Sequence, residues 1–241
     1  MAFPTIQTAD TQSNHVTSNS NSWTLTYPTN LASGDLILCF MAIDGAPSAT
    51  FPADWIKTGD FGSGAIQRVM AKKISLGSES GNFTVSLGAT EQGSWIVYRI
   101  TGWEGTIGAD FGNGASSGAV VSNNSVQSSS NTPDPPNLDP ATWATEDTLW
   151  FAGCAVDTSR TVSIFPLPDN QYSDPSGGSN GATLAVCTTN SAVSALDPGT
   201  FTISASDDWI GMTVAVRPAA DVPVVYVPRH PAHDYGSVTN F

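Results

Sequence analysis

Charge is scarce in this chain of 241 residues, cysteine and histidine are scarcer, and long apolar runs are missing. Asp, Glu, Lys and Arg make up 12% of it, with 21 acids against 8 bases and a net charge of −13. A surface of that sign repels phosphate backbones and anionic lipid, so neither nucleic acid nor a membrane is an expected partner. No apolar run approaches the ~18 residues of a spanning helix. The opening Met1-Ala2-Phe3-Pro4-Thr5-Ile6-Gln7 has neither the basic nor the apolar region of an export signal, so synthesis in a cytoplasm without export is expected. Cys39, Cys154 and Cys187 are odd in number, far apart, and each set in an apolar run without a CxxC partner. They are expected to be buried, reduced thiols rather than disulfides or zinc ligands.

Helical periodicity is missing too: no stretch of a dozen residues keeps an apolar stripe at helical spacing. What is present is turn chemistry, with 22 Gly, 16 Pro and many Ser, Thr and Asn between short apolar runs. Trp23 to Tyr27 and Phe83-Thr84-Val85-Ser86-Leu87 alternate apolar and polar, and breaks fall at 28–35, 44–52, 59–64 and 77–81. That punctuation predicts an all-β chain folded as an antiparallel β-sandwich.

The halves echo each other. Asp35-Leu36-Ile37-Leu38-Cys39-Phe40-Met41-Ala42-Ile43-Asp44 resembles the run from Asp147 to Asp157 with one extra residue, Phe83-Thr84-Val85-Ser86 matches Phe201-Thr202-Ile203-Ser204, and Trp95-Ile96 before Arg99 parallels Trp209-Ile210 before Arg217. The order of elements is kept, so each half is expected to supply about four strands, as in a jelly roll. The predicted organisation is one sandwich domain over 1–218, with halves at about 22–103 and 143–217 joined by a Ser-, Gly- and Pro-rich crossover, 104–142. An extended C-terminal arm follows over 219–241, because Asp221 to Pro228 is apolar but broken by prolines. Its Val222, Val224, Val225, Tyr226, Val227, His230 and Tyr235 are the expected partner-binding residues. Leu36 to Ile43 and Leu149 to Val156 do not alternate, so both faces of these strands are expected to be covered, by the crossover or by a neighbouring subunit.

No arrangement of catalytic residues stands out. Gly114-Ala115-Ser116-Ser117-Gly118 spells a nucleophile elbow, but in a linker with no helix to follow. His15, His230 and His233 lie in polar or terminal segments, and the proline in His230-Pro231-Ala232-His233 spoils the alignment of two imidazoles on a metal. Asp54, Glu91, Glu104, Glu146, Asp207 and Asp208 can be combined into many carboxylate pairs, and no spacing prefers one. No calcium loop of the DxDxDG kind is present. The chain is therefore read as a non-enzyme with no cofactor and no assigned metal. Of the seven tryptophans, Trp103 and Trp143 flank polar or proline-rich segments and are the candidate surface aromatics, suited to stacking on a glycan.

Ala32-Ser33-Gly34-Asp35-Leu36-Ile37-Leu38, then Ala42-Ile43-Asp44-Gly45, Pro52-Ala53-Asp54-Trp55 and Trp95-Ile96-Val97-Tyr98-Arg99-Ile100-Thr101-Gly102 together resemble a recurrent β-sandwich type among tailed-bacteriophage virion proteins. The likeness spans most of Ala32 to Pro218. It implies a structural protein of the virion, assembled in the host cytoplasm: a capsid decoration or cement protein. Such a protein binds capsid neighbours and like subunits, as a homo-oligomer such as a trimer, through apolar surfaces and the C-terminal arm. The alternative it implies is a carbohydrate- or receptor-binding module of a tail or fibre.

Overall fold

The computed structural model describes residues 1–58, 61–62, 64–105, 118–125, 127–177 and 181–220. The arm residues from Val222 to Tyr235 and most of the Gly114 to Gly118 motif lie outside them. Among the described residues there is no α-helix, only a single 3₁₀ turn at Thr8–Asp10. The first half forms β1 (Thr5–Ile6), β2 (Gln12–Thr26), β3 (Leu36–Asp44), β4 (Ala49–Thr50), β5 (Ile56–Lys57), β6 (Phe61–Gly62), β7 (Ile66–Ile74) and β8 (Asn82–Thr101). The second forms β9 (Val120–Asn124), β10 (Ser128–Ser130), β11 (Glu146–Asp157), β12 (Val162–Ile164), β13 (Asp169–Pro175), β14 (Ala182–Val193), β15 (Thr202–Ile203) and β16 (Asp207–Val216).

Two antiparallel sheets pack face to face, the sandwich expected from the sequence. Each is built from one half of the chain: β1-β8-β3-β7-β5 in the first and β10-β16-β11-β14-β13 in the second. The apolar strands β3 and β11 are central, the first flanked by β8 and β7, the second by β16 and β14. Across the interface β3 lies over β11, β8 over β14 and β7 over β16. The corresponding strands thus exchange places as they would about a twofold axis running between β3 and β11. Inward-pointing residues interlock along that axis: Phe40, Tyr98 and Phe151 form a triangle with ring centroids 5.4 to 6.0 Å apart.

The two apolar runs do not alternate because both of their faces are dry, and the covers come from this chain itself. On the outer side of the first sheet, β8 bends at Gly93 and its first half, paired with β2, folds back over β3 and β7. Only glycine fits there, because a Cβ would lie 2.0 Å from the carbonyl oxygen of Ala42 and 2.7 Å from the Trp23 ring. Trp23, Leu25, Phe83 and Val85 from the ribbon meet Ile37, Cys39 and Met41 from β3 in a second core. On the outer side of the second sheet the crossover covers one part, and Leu167, Phe201 and Ile203 cover the part around Cys154 and Cys187. Asp134 and Pro135 lie flat on Gly211 of β16, and Thr213 Oγ1 donates to the Pro136 carbonyl at 2.6 Å. Leu138 and Leu196 exchange backbone hydrogen bonds of 2.9 and 3.0 Å above Trp150.

All three cysteines are free thiols inside these outer cores, and burial pushes each thiol pKa up, that of Cys187 to about 12. A thiol so raised is inert at neutral pH. Among the described residues, large hydrophobic side chains left exposed are Met1, Leu76 and Ile164, single residues that form no continuous patch in the sequence or the sheets.

Candidate functional site

The predicted surface aromatics are not at the surface. Trp103 is 5% exposed, closes the inter-sheet core, donates from Nε1 to the Gly34 carbonyl at 2.8 Å, and bridges to Pro218. Trp143 is 8% exposed, packs with Leu138 and Trp150, and carries the Arg217 guanidinium 5.8 Å above its ring. Polar neighbours in the sequence suggested exposure, but the segments holding these rings fold onto the sheets, where an indole buries more area than any alternative at those positions. Stacking on a glycan by Trp103 or Trp143 is therefore corrected to core packing. The expected arm residues fall outside the described residues.

The candidate carboxylates separate into several environments. Asp54 and Glu79 both bind Lys73, whose ammonium is 3.1 Å from Glu79 and in direct contact with Asp54. Asp208 accepts from Gln127 at 2.9 Å. Glu104 and Glu146 meet on Arg217, which holds Glu146 with two bonds of 2.6 and 2.5 Å and Glu104 at 3.6 Å. The first half has a counterpart: Arg99 binds Asp35 at 2.6 Å and Asp10 at 2.8 Å. In each half an arginine at the end of β8 or just after β16 thus clamps an acid at the start of the central strand.

At the opposite pole the acids face one another. Asp44 ends β3, Asp157 ends β11, and their side chains share a hydrogen bond across the two sheets. Two carboxyl groups can bond only if one is protonated. Asp157 carries the larger upward shift of the two. Burial, followed by the negative charges of Asp207 and Asp44, raises its pKa to about 6. Burial and then the charge of Glu91 raise Asp44 as well, and burial raises Glu91. Glu91 lies against Gly45, where a Cβ would come within 3.0 Å of its Oε1. Asp207 is tied to Thr158 Oγ1 at 2.6 Å and to Arg160 Nε at 2.7 Å.

Glu91 and Asp207 were legible as candidates, whereas Asp44 and Asp157 were not singled out. The signal lay in the echo itself, since both are the closing residues of the repeated strand. Chemically the pair can hold a proton near pH 6. Glycoside hydrolysis needs carboxyl groups about 5 Å or more apart, around a bound sugar, and a directly bonded pair leaves no such space. Among the described residues no group of three or more His, Cys, Asp or Glu is arranged to hold a metal ion, and no helix is long and apolar enough to cross a membrane. Comparison with protein-family models, with curated proteins and with solved structures finds no match.

Proposed function

We propose that this chain is a structural protein of a virion, a capsid decoration or cement protein assembled in the host cytoplasm, acting by attachment rather than by catalysis. The observation that supports this reading is the doubly covered sandwich. Both faces of both central strands are sealed by residues before 221, which makes the body a self-complete, rigid block. A block of this kind lends itself to display on a larger assembly. The sequence from Asp221 to Phe241, with Val222, Val224, Val225, Tyr226 and Val227 at its start, is then the segment that grips capsid neighbours or like subunits in a homo-oligomer. Acid excess on the body would keep crowded copies apart.

Removing 221–241 tests the proposal. Truncated protein is expected to keep the melting transition of the full chain but to lose co-sedimentation with particles or with its own oligomer. Undiminished co-sedimentation of the truncated chain would refute the arm's role.

A further inference from the structure

At the pole where β3 and β11 begin, the seam between the sheets opens into a cavity of about 290 Å³. One wall is β1, with Thr5 and Ile6, and the other is the second sheet, with Leu149, Asp169, Asn170, Thr188 and Asn190. We infer that this cleft is a binding site for a single neutral sugar ring.

The seam changes character here. Along β14 the inward positions run Leu184, Val186, Thr188, Asn190, so an apolar stripe turns polar where the cavity begins. Packing alone gives no reason for that change, because Ile6 and Leu149 still supply apolar surface at the same level. Thr188 is fully buried, and its Oγ1 accepts from Asn170 Nδ2 at 2.8 Å. Asn170 sits at an irregularity in the pairing of β13 with β14 and has φ of +43°, a conformation that costs free energy in a non-glycine residue. Bulges of this type re-aim side chains, and this one lies beside Asp169 at the mouth of the cleft. Among the described residues, the side chains of Asp169 and Asn190 make no hydrogen bond within the protein and are exposed.

The lining selects the ligand class. It contains no cationic side chain and one carboxylate, so phosphates, sulfates and carboxylates are repelled. It contains no aromatic ring, so recognition here would work through polar groups and aliphatic contact rather than ring stacking. What remains is a rim of amide, hydroxyl and carboxylate groups around a small aliphatic floor. That pattern matches a pyranose, with hydroxyls at its edge and C–H groups on its face. The volume lies at the lower end of small-molecule pockets, ~300 Å³, and suits one ring rather than an extended chain. The inference goes beyond the virion reading and does not rest on it.

The test is a titration of the full-length chain with glucose, galactose, mannose and N-acetylglucosamine at millimolar concentration, followed by backbone amide shifts. At least one sugar is expected to give saturable shifts at residues 5–6, 169–170 and 188–190. Asn190→Ala is expected to weaken that sugar at least tenfold, as is Asn170→Gly, in which glycine keeps the positive φ. Thr24→Ala, on the far ribbon, should leave it unchanged. Absence of saturable shifts with all four sugars, or equal affinity in Asn190→Ala, would overturn the site. Neither result bears on attachment through 221–241, which is read separately by co-sedimentation.

Discussion

The two central strands each begin and end with an acid, and the protein treats the two poles in opposite ways. Where β3 and β11 begin, Asp35 and Glu146 are clamped by Arg99 and Arg217. Where the strands end, Asp44 and Asp157 meet each other, with Glu91 and Asp207 close by. One pole is tied by paired charge, and at the other burial and like charge raise the pKa values of the facing acids. The lesson is that acids at the ends of corresponding strands acquire different chemistry from what lies around them. At the start the arginine comes from the same sheet, so each half is satisfied alone. At the end the twofold arrangement brings like against like.

The contrast can be broken hardest at Gly93, next to the acidic pole, which lets the ribbon fold back over β3 and β7. Gly93→Ala puts a methyl group into the Ala42 carbonyl and should cost about 3 kcal/mol or more, or prevent folding, as measured by urea denaturation. Next is the clamped pole. Arg99→Met leaves Asp10 and Asp35 without their cation, and a loss of stability smaller than that at Gly93 is expected in the same measurement.

The acidic pole should respond to pH with the reverse sign. Asp157 has a folded pKa of about 6 against an ordinary 3.8, so the folded state holds more protons than the unfolded chain between these values. Its contribution to stability is present below 3.8 and is lost as pH rises through about 6. Asp10 behaves oppositely. Hydrogen bonds from Thr29, Asn30 and Arg99 lower its pKa below 3.8, so its contribution holds above that value and is lost as pH falls through the lower folded pKa. Melting temperature should accordingly fall on either side of a mildly acidic optimum. Asp157→Asn keeps a donor for Asp44 and removes the like charge. It should raise stability at pH 7.5 by about 1 kcal/mol after allowance for partial solvent screening, and should flatten the alkaline limb of the profile. A limb that persists unchanged in this variant would rule out Asp157 as its source. The smallest effect is expected at Glu104, the outer member of the Arg217 cluster at 3.6 Å and 32% exposed. Glu104→Gln should change stability by less than about 0.5 kcal/mol.

Much of the fold was legible because strand signals are local. Alternation at Phe83 to Leu87, turn residues between runs and unbroken apolar stretches at Leu36 to Ile43 and Leu149 to Val156 are set by neighbours in the chain. The same stretches announced that both faces would be dry. They could not say what would cover them, and the cover proved to be the ribbon of β2 and β8 on one sheet and, on the other, the 131–143 segment together with Leu167, Phe201 and Ile203. Trp103 and Trp143 were misplaced for the same reason: their polar neighbours in sequence are not their neighbours in space.

By itself the sequence determined the class of structure, the central strands and the acids at their ends, since each depends on residue type and short-range period. Tertiary structure alone decided that Asp44 would face Asp157, that Arg99 and Arg217 would close the other pole, and that a polar cleft would open between β1 and β14. Those contacts join residues from 64 to over 100 positions apart, and no local pattern carries the register that brings them together.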